Sequence, residues 1–227
     1  MYQKDEDMKT NSNKVNYYPY DEDAAGKFRG SHKTSDAAEY LLANKEIISL
    51  AKDVLSDQKY TEAENIALQL TGKKKDKDLA RERLIDIVQP PPKRPIYYAQ
   101  YEITFLPRWT RDTLRYLGDY IDMLVKSAVY EKTKDTRIFN SSLGPAITHF
   151  QKHWPGNDSL ADLLIRYNKF LYRSAKHDFA LPSDRKMHRF SSREVVLTAY
   201  ITMELGNRIC DISSVAKAAR NDQKILP

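Results

Sequence analysis

The chain has 227 residues with 37 Lys and Arg against 31 Asp and Glu, a formal charge of +6, and holds one cysteine, seven glycines and ten prolines. A single cysteine closes no intrachain disulfide and builds no cysteine-type zinc site, and the absence of GxGxxG and GxxxxGK[ST] leaves no dinucleotide or P-loop phosphate cradle. No run of about 18 apolar residues offers a bilayer span, and the opening Tyr2-Gln3-Lys4-Asp5-Glu6 lacks a basic and then apolar leader, so a soluble cytoplasmic protein without membrane contact is expected.

Residues 1–34 are polar, with tyrosines at 2, 17, 18 and 20 but almost no aliphatic side chains. They cannot bury enough surface to offset the entropy of ordering, and they are expected to form a disordered tail. A helical segment is expected over 35–89. Leu41, Leu42, Ile47, Ile48, Leu50, Ala51, Val54 and Leu55 recur at three- and four-residue steps. A second helix is expected from Thr61, with Glu64 completing a capping box, to Gly72, and a third from about Asp76 to Val88. Three short helices also allow a helix-turn-helix, but residues 36–90 are net acidic, a poor footprint for a DNA reader. Lys73-Lys74-Lys75 reads as a solvated loop.

Pro90, Pro91, Pro92 and Pro95 mark a domain boundary, and the aromatic, β-favouring stretch from Ile96 to Leu106 reads as an extended segment, giving a connector over 90–108. A helical bundle is expected over 109–213. Its long helix from about Thr110 to Glu131 carries the stripe Leu114, Leu117, Ile121, Leu124, Val125 and Ala128. A shorter helix over 142–153 has Pro145 in its first turn, and another starts at Asp158 or Ser159 with Leu160, Leu163, Leu164, Tyr167 and Leu171 on one face. A capping box at Ser191 and Glu194 opens the last long helix, with Val195, Val196, Ala199, Met203 and Leu205 toward the core; residues 214–227 read as a C-terminal tail. The fold class is all-α.

The charge is local. Residues 160–193 hold eight Lys/Arg against three Asp, a net +5, whereas residues 36–90 carry net −2. On an ideal helix of about 100° per residue, Arg166, Arg173 and His177 fall within about 40° of one another on the flank of the apolar stripe. Asn168, Lys169 and Lys176 extend that edge, and Arg185, Lys186, His188 and Arg189 follow in the loop. Such a strip suits a phosphodiester. Arginine holds phosphate bidentately, and a histidine titrating near neutrality can move the proton of a hydroxyl.

Arg173-Ser174-Ala175-Lys176-His177 resembles the signature of HEPN-domain proteins, in which an Arg followed by a polar residue precedes a His on a helix of an all-α bundle. The resemblance covers about residues 109–210, with three residues between Arg173 and His177, one fewer than the family's usual minimum, though i and i+4 still share a helix face. It implies a four- to five-helix HEPN-like bundle with an added N-terminal helical segment. It also implies a metal-independent endoribonuclease needing no cofactor, assembled as a homodimer whose motif helices meet, in toxin–antitoxin, anti-phage or stress responses, with an antitoxin or other regulatory protein as a further partner. By position, Arg173 would hold the scissile phosphate, His177 would act as acid/base on the ribose 2′-hydroxyl, and Ser174 would take the polar position. The alternative is a non-catalytic helical module that binds nucleic acid or an acidic protein through the same strip.

Other chemistry is less well supplied. His149 and His153 share an i, i+4 spacing that can hold a metal, but no carboxylate lies between them, so no metal site is expected. Cys210 reads as a small buried hydrophobe, and Asp119 and Asp122 as a solvated or ion-paired helix face.

Overall fold

Helix α1, residues 45–54, buries Ile47, Leu50, Ala51 and Val54 at three- and four-residue steps. The computed structural model describes residues 45–88, 94–104, 106, 110–172 and 190–221, and every regular element among them is helical. The expected tail 1–34 and Pro90, Pro91 and Pro92 lie outside the described residues. Helix α2, Asp57–Gln69, begins four residues before the expected Thr61. Ser56 is extended and its hydroxyl accepts the Lys59 N–H at 3.4 Å, which satisfies an otherwise orphaned donor and pre-empts a start at Thr61. Glu64 is therefore free of capping duty and reaches Arg193 instead. Helix α3, Lys74–Ile87, opens where the Asp76 carboxylate accepts the Lys73 N–H at 3.3 Å.

The extended segment expected over 96–106 is corrected by helix α4, Arg94–Ile103. Pro95 falls in its first turn, where a missing N–H costs nothing. Ala99 and Ile103, one turn apart, are fully buried, so helical spacing of the apolar positions overrides the β preference of the tyrosines. Tyr98 packs on Tyr116 with ring centroids 5.1 Å apart, and the Gln100 amide donates to the carbonyls of Ile85 and Val88 at the end of α3 at 3.4 and 3.5 Å.

Helix α5, Thr110–Thr133, is the centre of the molecule. It packs against α4, against α6 (Leu143–His153), and against the two closing helices, α8 (Ser192–Ile212) and α9 (Ser214–Arg220). Six successive residues from Leu124 to Val129 are buried, so this stretch is enclosed on every side. The same holds for the nine residues Glu194–Thr202 of α8, which also packs against α2 and α3. Helix α7, Asp158–Tyr167, lies beside α6 and α8. Three polar side chains inside the two enclosed stretches are matched locally. The Lys126 ammonium donates to Asp122 at 2.7 Å, and the hydroxyls of Ser127 and Thr198 donate to the carbonyls of Met123 and Glu194 at 2.8 and 2.6 Å.

The expected boundary at the prolines does not divide the interior, because buried side chains of α1, α2 and α3 belong to one continuous apolar core with those of α5 to α9. The C-terminal tail expected from residue 214 is corrected over its first seven residues, which form α9. The Ser213 hydroxyl accepts the Ala216 N–H at 3.0 Å as its cap, and Ala216 and Ala219 are buried. Glu131 of α5 accepts from the Ser213 hydroxyl at 2.6 Å and from the Val215 N–H and Ser214 hydroxyl at 3.1 Å each. Burial pushes that carboxyl up, but these three hydrogen bonds outweigh it and hold its pKa below the ordinary value. Among the described residues no helix is long and apolar enough to cross a membrane.

Candidate nucleic-acid interface

Of the predicted site residues, the structure describes Arg166, Asn168 and Lys169. Arg173, Ser174, Lys176, His177, Arg185, Lys186, His188 and Arg189 fall in 173–189, outside the described residues. The architecture on either side of that segment is well defined.

On the leading side, α7 does not run on as a uniform α-helix. Residues Asn168–Tyr172 are wound as a π-helical turn, with i→i+5 bonds that insert a residue into the register. The α-helical projection that grouped Arg166 with Arg173 and His177 assumes unbroken 100° steps, so it does not carry across this turn. No signal in the sequence marks it. The turn is held by two tyrosines. The Tyr167 hydroxyl is paired with the Thr202 hydroxyl of α8 at 2.8 Å in a fully buried contact. The Tyr172 hydroxyl donates to Asp119 of α5 at 2.5 Å, and its ring lies against Gly118. Burial first, and then the carboxylates of Asp119 and Asp122, hold the Tyr172 phenol far above its ordinary value, so it acts as a fixed hydrogen-bond donor. Tyr167→Phe removes the partner of a buried hydroxyl and is expected to cost about 1–2 kcal/mol. In thermal unfolding this corresponds to a midpoint lower by roughly 2–8 °C, and an unchanged midpoint would show the pair to be energetically idle.

On the trailing side, buried Phe190 leads into the capping box expected from the sequence. One oxygen of Glu194, Oε2, accepts from the Ser191 N–H at 2.6 Å and from the Ser191 hydroxyl at 3.0 Å, while the Ser191 oxygen accepts the Glu194 N–H at 3.2 Å. The sequence does not disclose that this carboxyl is completely buried and that its other oxygen, Oε1, has no hydrogen-bond partner among the described residues. Burial pushes its pKa up to about 7, against the opposing pull of the Ser191 hydrogen bonds and of Arg193.

The charge around this site is shared with the N-terminal helices. Arg166 donates to Asp53 at 2.6 Å and to the Ser49 hydroxyl at 3.1 Å, both on α1. Arg193 donates through Nε to Glu64 of α2 at 2.8 Å, with a second bond from Nη2 to the same oxygen. Lys59 of α2 donates to Glu204 of α8 at 2.6 Å, and the Arg208 guanidinium donates to the Val54 carbonyl at 2.9 Å. Two cations of the basic strip are thus met by carboxylates of the net-acidic segment 36–90, across 113 and 129 residues of chain. The segment charges contain this pairing only as a complementarity of sign. Lys169 is exposed, with its ammonium 4.9 Å from the Phe170 ring centre. Asn168 faces the start of α6, where its amide nitrogen lies 3.5 Å from the position of a Cβ on Gly144.

Asp122 makes the expected ion pair with Lys126, and Asp119 accepts from the Tyr172 hydroxyl. His149 and His153 have parallel rings 6.2 Å apart, and among the described residues no group of three or more His, Cys, Asp or Glu is poised around a metal position. Cys210 is buried, and that burial raises its thiol pKa. The described part of the site supplies a rigid polar frame and paired cations. Comparison of the chain with protein-family models, curated proteins and solved structures finds no match.

Proposed function

We propose that the protein binds RNA through residues 160–193 and cleaves it there as a HEPN-like, metal-independent endoribonuclease. In this reading Arg173 holds the scissile phosphate and His177 moves the proton of the 2′-hydroxyl. The observation that carries it is the net +5 concentrated in residues 160–193, which also contain the Arg173/His177 pair. The frame on both sides supports it. Residues 168–172, just before 173–189, form a π-helical turn, a distortion common at functional sites, that is bonded to α5, and residues 190–194, just after it, carry the buried capping box that opens α8. A role as a toxin, anti-phage or stress effector acting as a homodimer belongs to the same proposal.

The test is incubation of the full chain with total RNA in EDTA. Cleavage should appear with the native protein and fall at least about 100-fold in Arg173→Ala and His177→Ala, the scale on which acid/base groups act. Cleavage that persists unchanged in both variants would overturn the assignment. The three-residue spacing between Arg173 and His177 favours a second reading, a module that binds RNA without cutting it. The same assay then gives no product, while binding still weakens with salt as counterions are released.

A further inference from the structure

We propose that helices α1 and α2 are a built-in acidic competitor of RNA: Asp53 and Glu64 occupy the guanidinium groups of Arg166 and Arg193, and bound RNA takes these arginines over. The inference rests on the reading of residues 160–193 as an RNA-binding strip and adds a regulatory element to it.

The argument begins with position. Arg166 precedes residues 173–189 in the chain and Arg193 follows them, so the two arginines flank the most basic part of the strip in sequence. Each is held by a carboxylate from the N-terminal helices, at 2.6 Å for Asp53 with Arg166 and 2.8 Å for Glu64 with Arg193 Nε. A carboxylate and a phosphate present the same kind of oxygens to a guanidinium, so one can replace the other without rearranging the arginine. Both pairs reach the surface: the side chains of Arg166 and Arg193 are 28% and 27% exposed, and those of Asp53 and Glu64 are 51% and 28% exposed. The outer pair, Arg166 with the exposed Asp53, is of the kind that contributes little to stability, so its exchange for phosphate is inexpensive.

The helices do not need these two carboxylates to stay in place. Ile47, Leu50, Ala51, Val54, Ala63 and Ile66 are buried in the common core, and Arg208 ties the end of α1 through a backbone carbonyl. The third cross-pair has the opposite polarity, with the cation Lys59 on α2 and the acid Glu204 on α8, so breaking it releases no arginine of the strip.

The experiment uses the full chain and a labelled 15-nucleotide 2′-O-methyl uridine strand, which lacks the 2′-hydroxyl that cleavage needs. Binding is followed by fluorescence anisotropy over a range of salt. Asp53→Asn with Glu64→Gln should raise affinity about fivefold or more at 100 mM salt. It should also steepen the dependence of log K on log salt by about 1.4, the value for two added phosphate contacts to a single strand. Asp53→Asn alone, at the more exposed pair, should steepen it by about 0.7 and decides the matter if the double variant does not fold. Glu204→Gln should leave the slope unchanged. Native protein that binds the strand, with acid variants of unchanged or weaker affinity and slope, would overturn the competitor role and leave the RNA-binding reading standing. An absence of binding in every variant would overturn both.

Discussion

Gly118→Ala is expected to lower the thermal midpoint by roughly 5–10 °C, although alanine is the better helix former. A Cβ on Gly118 would lie 1.9 Å from Tyr172 Cδ2, 2.6 Å from Cγ and 2.7 Å from Cε2. These atoms belong to the root and edge of a buried ring, and cannot swing aside as the tip of a flexible chain would. The ring is held from both ends: its backbone is in the π-helical turn and its hydroxyl is bonded to Asp119 at 2.5 Å. Overpacking costs about 1–3 kcal/mol in general and more where retreat is blocked, about 3–4 kcal/mol for a contact this close to a held ring. Set against the roughly 1 kcal/mol that alanine gains over glycine in a helix, the net loss is about 2–3 kcal/mol, and about 2–4 °C per kcal/mol converts it to the stated shift. Gly144 is the internal control. The nearest atom to its Cβ position is the Asn168 amide nitrogen at 3.5 Å, an ordinary contact, so Gly144→Ala should leave the midpoint unchanged or raise it. Equal midpoints for Gly118→Ala and the native protein would show that α5 and the π-helical turn are not packed as described.

Glu194→Gln should change the pH dependence of stability more than stability at any single pH. Burial pushes the Glu194 carboxyl from 4.5 to about 7, so between those values the folded protein binds a proton that the unfolded chain has released. Stability from this group therefore falls as pH rises through that window and is level above it. The full change is on the order of 3 kcal/mol. Glutamine cannot ionise and keeps a carbonyl oxygen that can accept from Ser191 in place of Oε2. The stability of the variant minus that of the native protein should then grow by on the order of 3 kcal/mol between pH 4.5 and pH 8, whatever fixed penalty the amide brings. Denaturant unfolding at the two pH values measures it, and a difference that stays constant with pH would show that Glu194 ionises as an exposed glutamate does.

The parts of the fold that periodicity encodes were legible in the sequence. Helix α5, the start of α7 at Asp158 and the Ser191/Glu194 capping box all match the structure, because each rests on a local rule that tertiary contacts reinforce. The misreadings have physical causes. In α4 the tyrosines favour strands in isolation, but Ala99 and Ile103 needed a helix to reach the same interior. In α2 the pairing of Thr61 with Glu64 satisfied the capping pattern, yet Ser56 offered an earlier cap and Arg193 a better partner for the glutamate. The alanines of α9 carry a weak apolar signal and fold as a helix because Ser213 and Glu131 fix its first turn. At the candidate site, the sequence locates the positive charge but not its partners. Asp53 and Glu64 are 113 and 129 residues from the arginines they meet, and only the packing of α1 and α2 against the C-terminal helices brings them together.

That packing also bears on how the chain is made. Lys59 and Glu204 are 145 residues apart, and at a synthesis rate of about 5–20 residues per second roughly 7–30 s separate the appearance of one from the other. Through that interval Ile47, Leu50, Ala63 and Ile66 have not met the helix α8 that completes their enclosure. A nascent chain therefore carries these apolar side chains for many seconds before the helix that encloses them has been made.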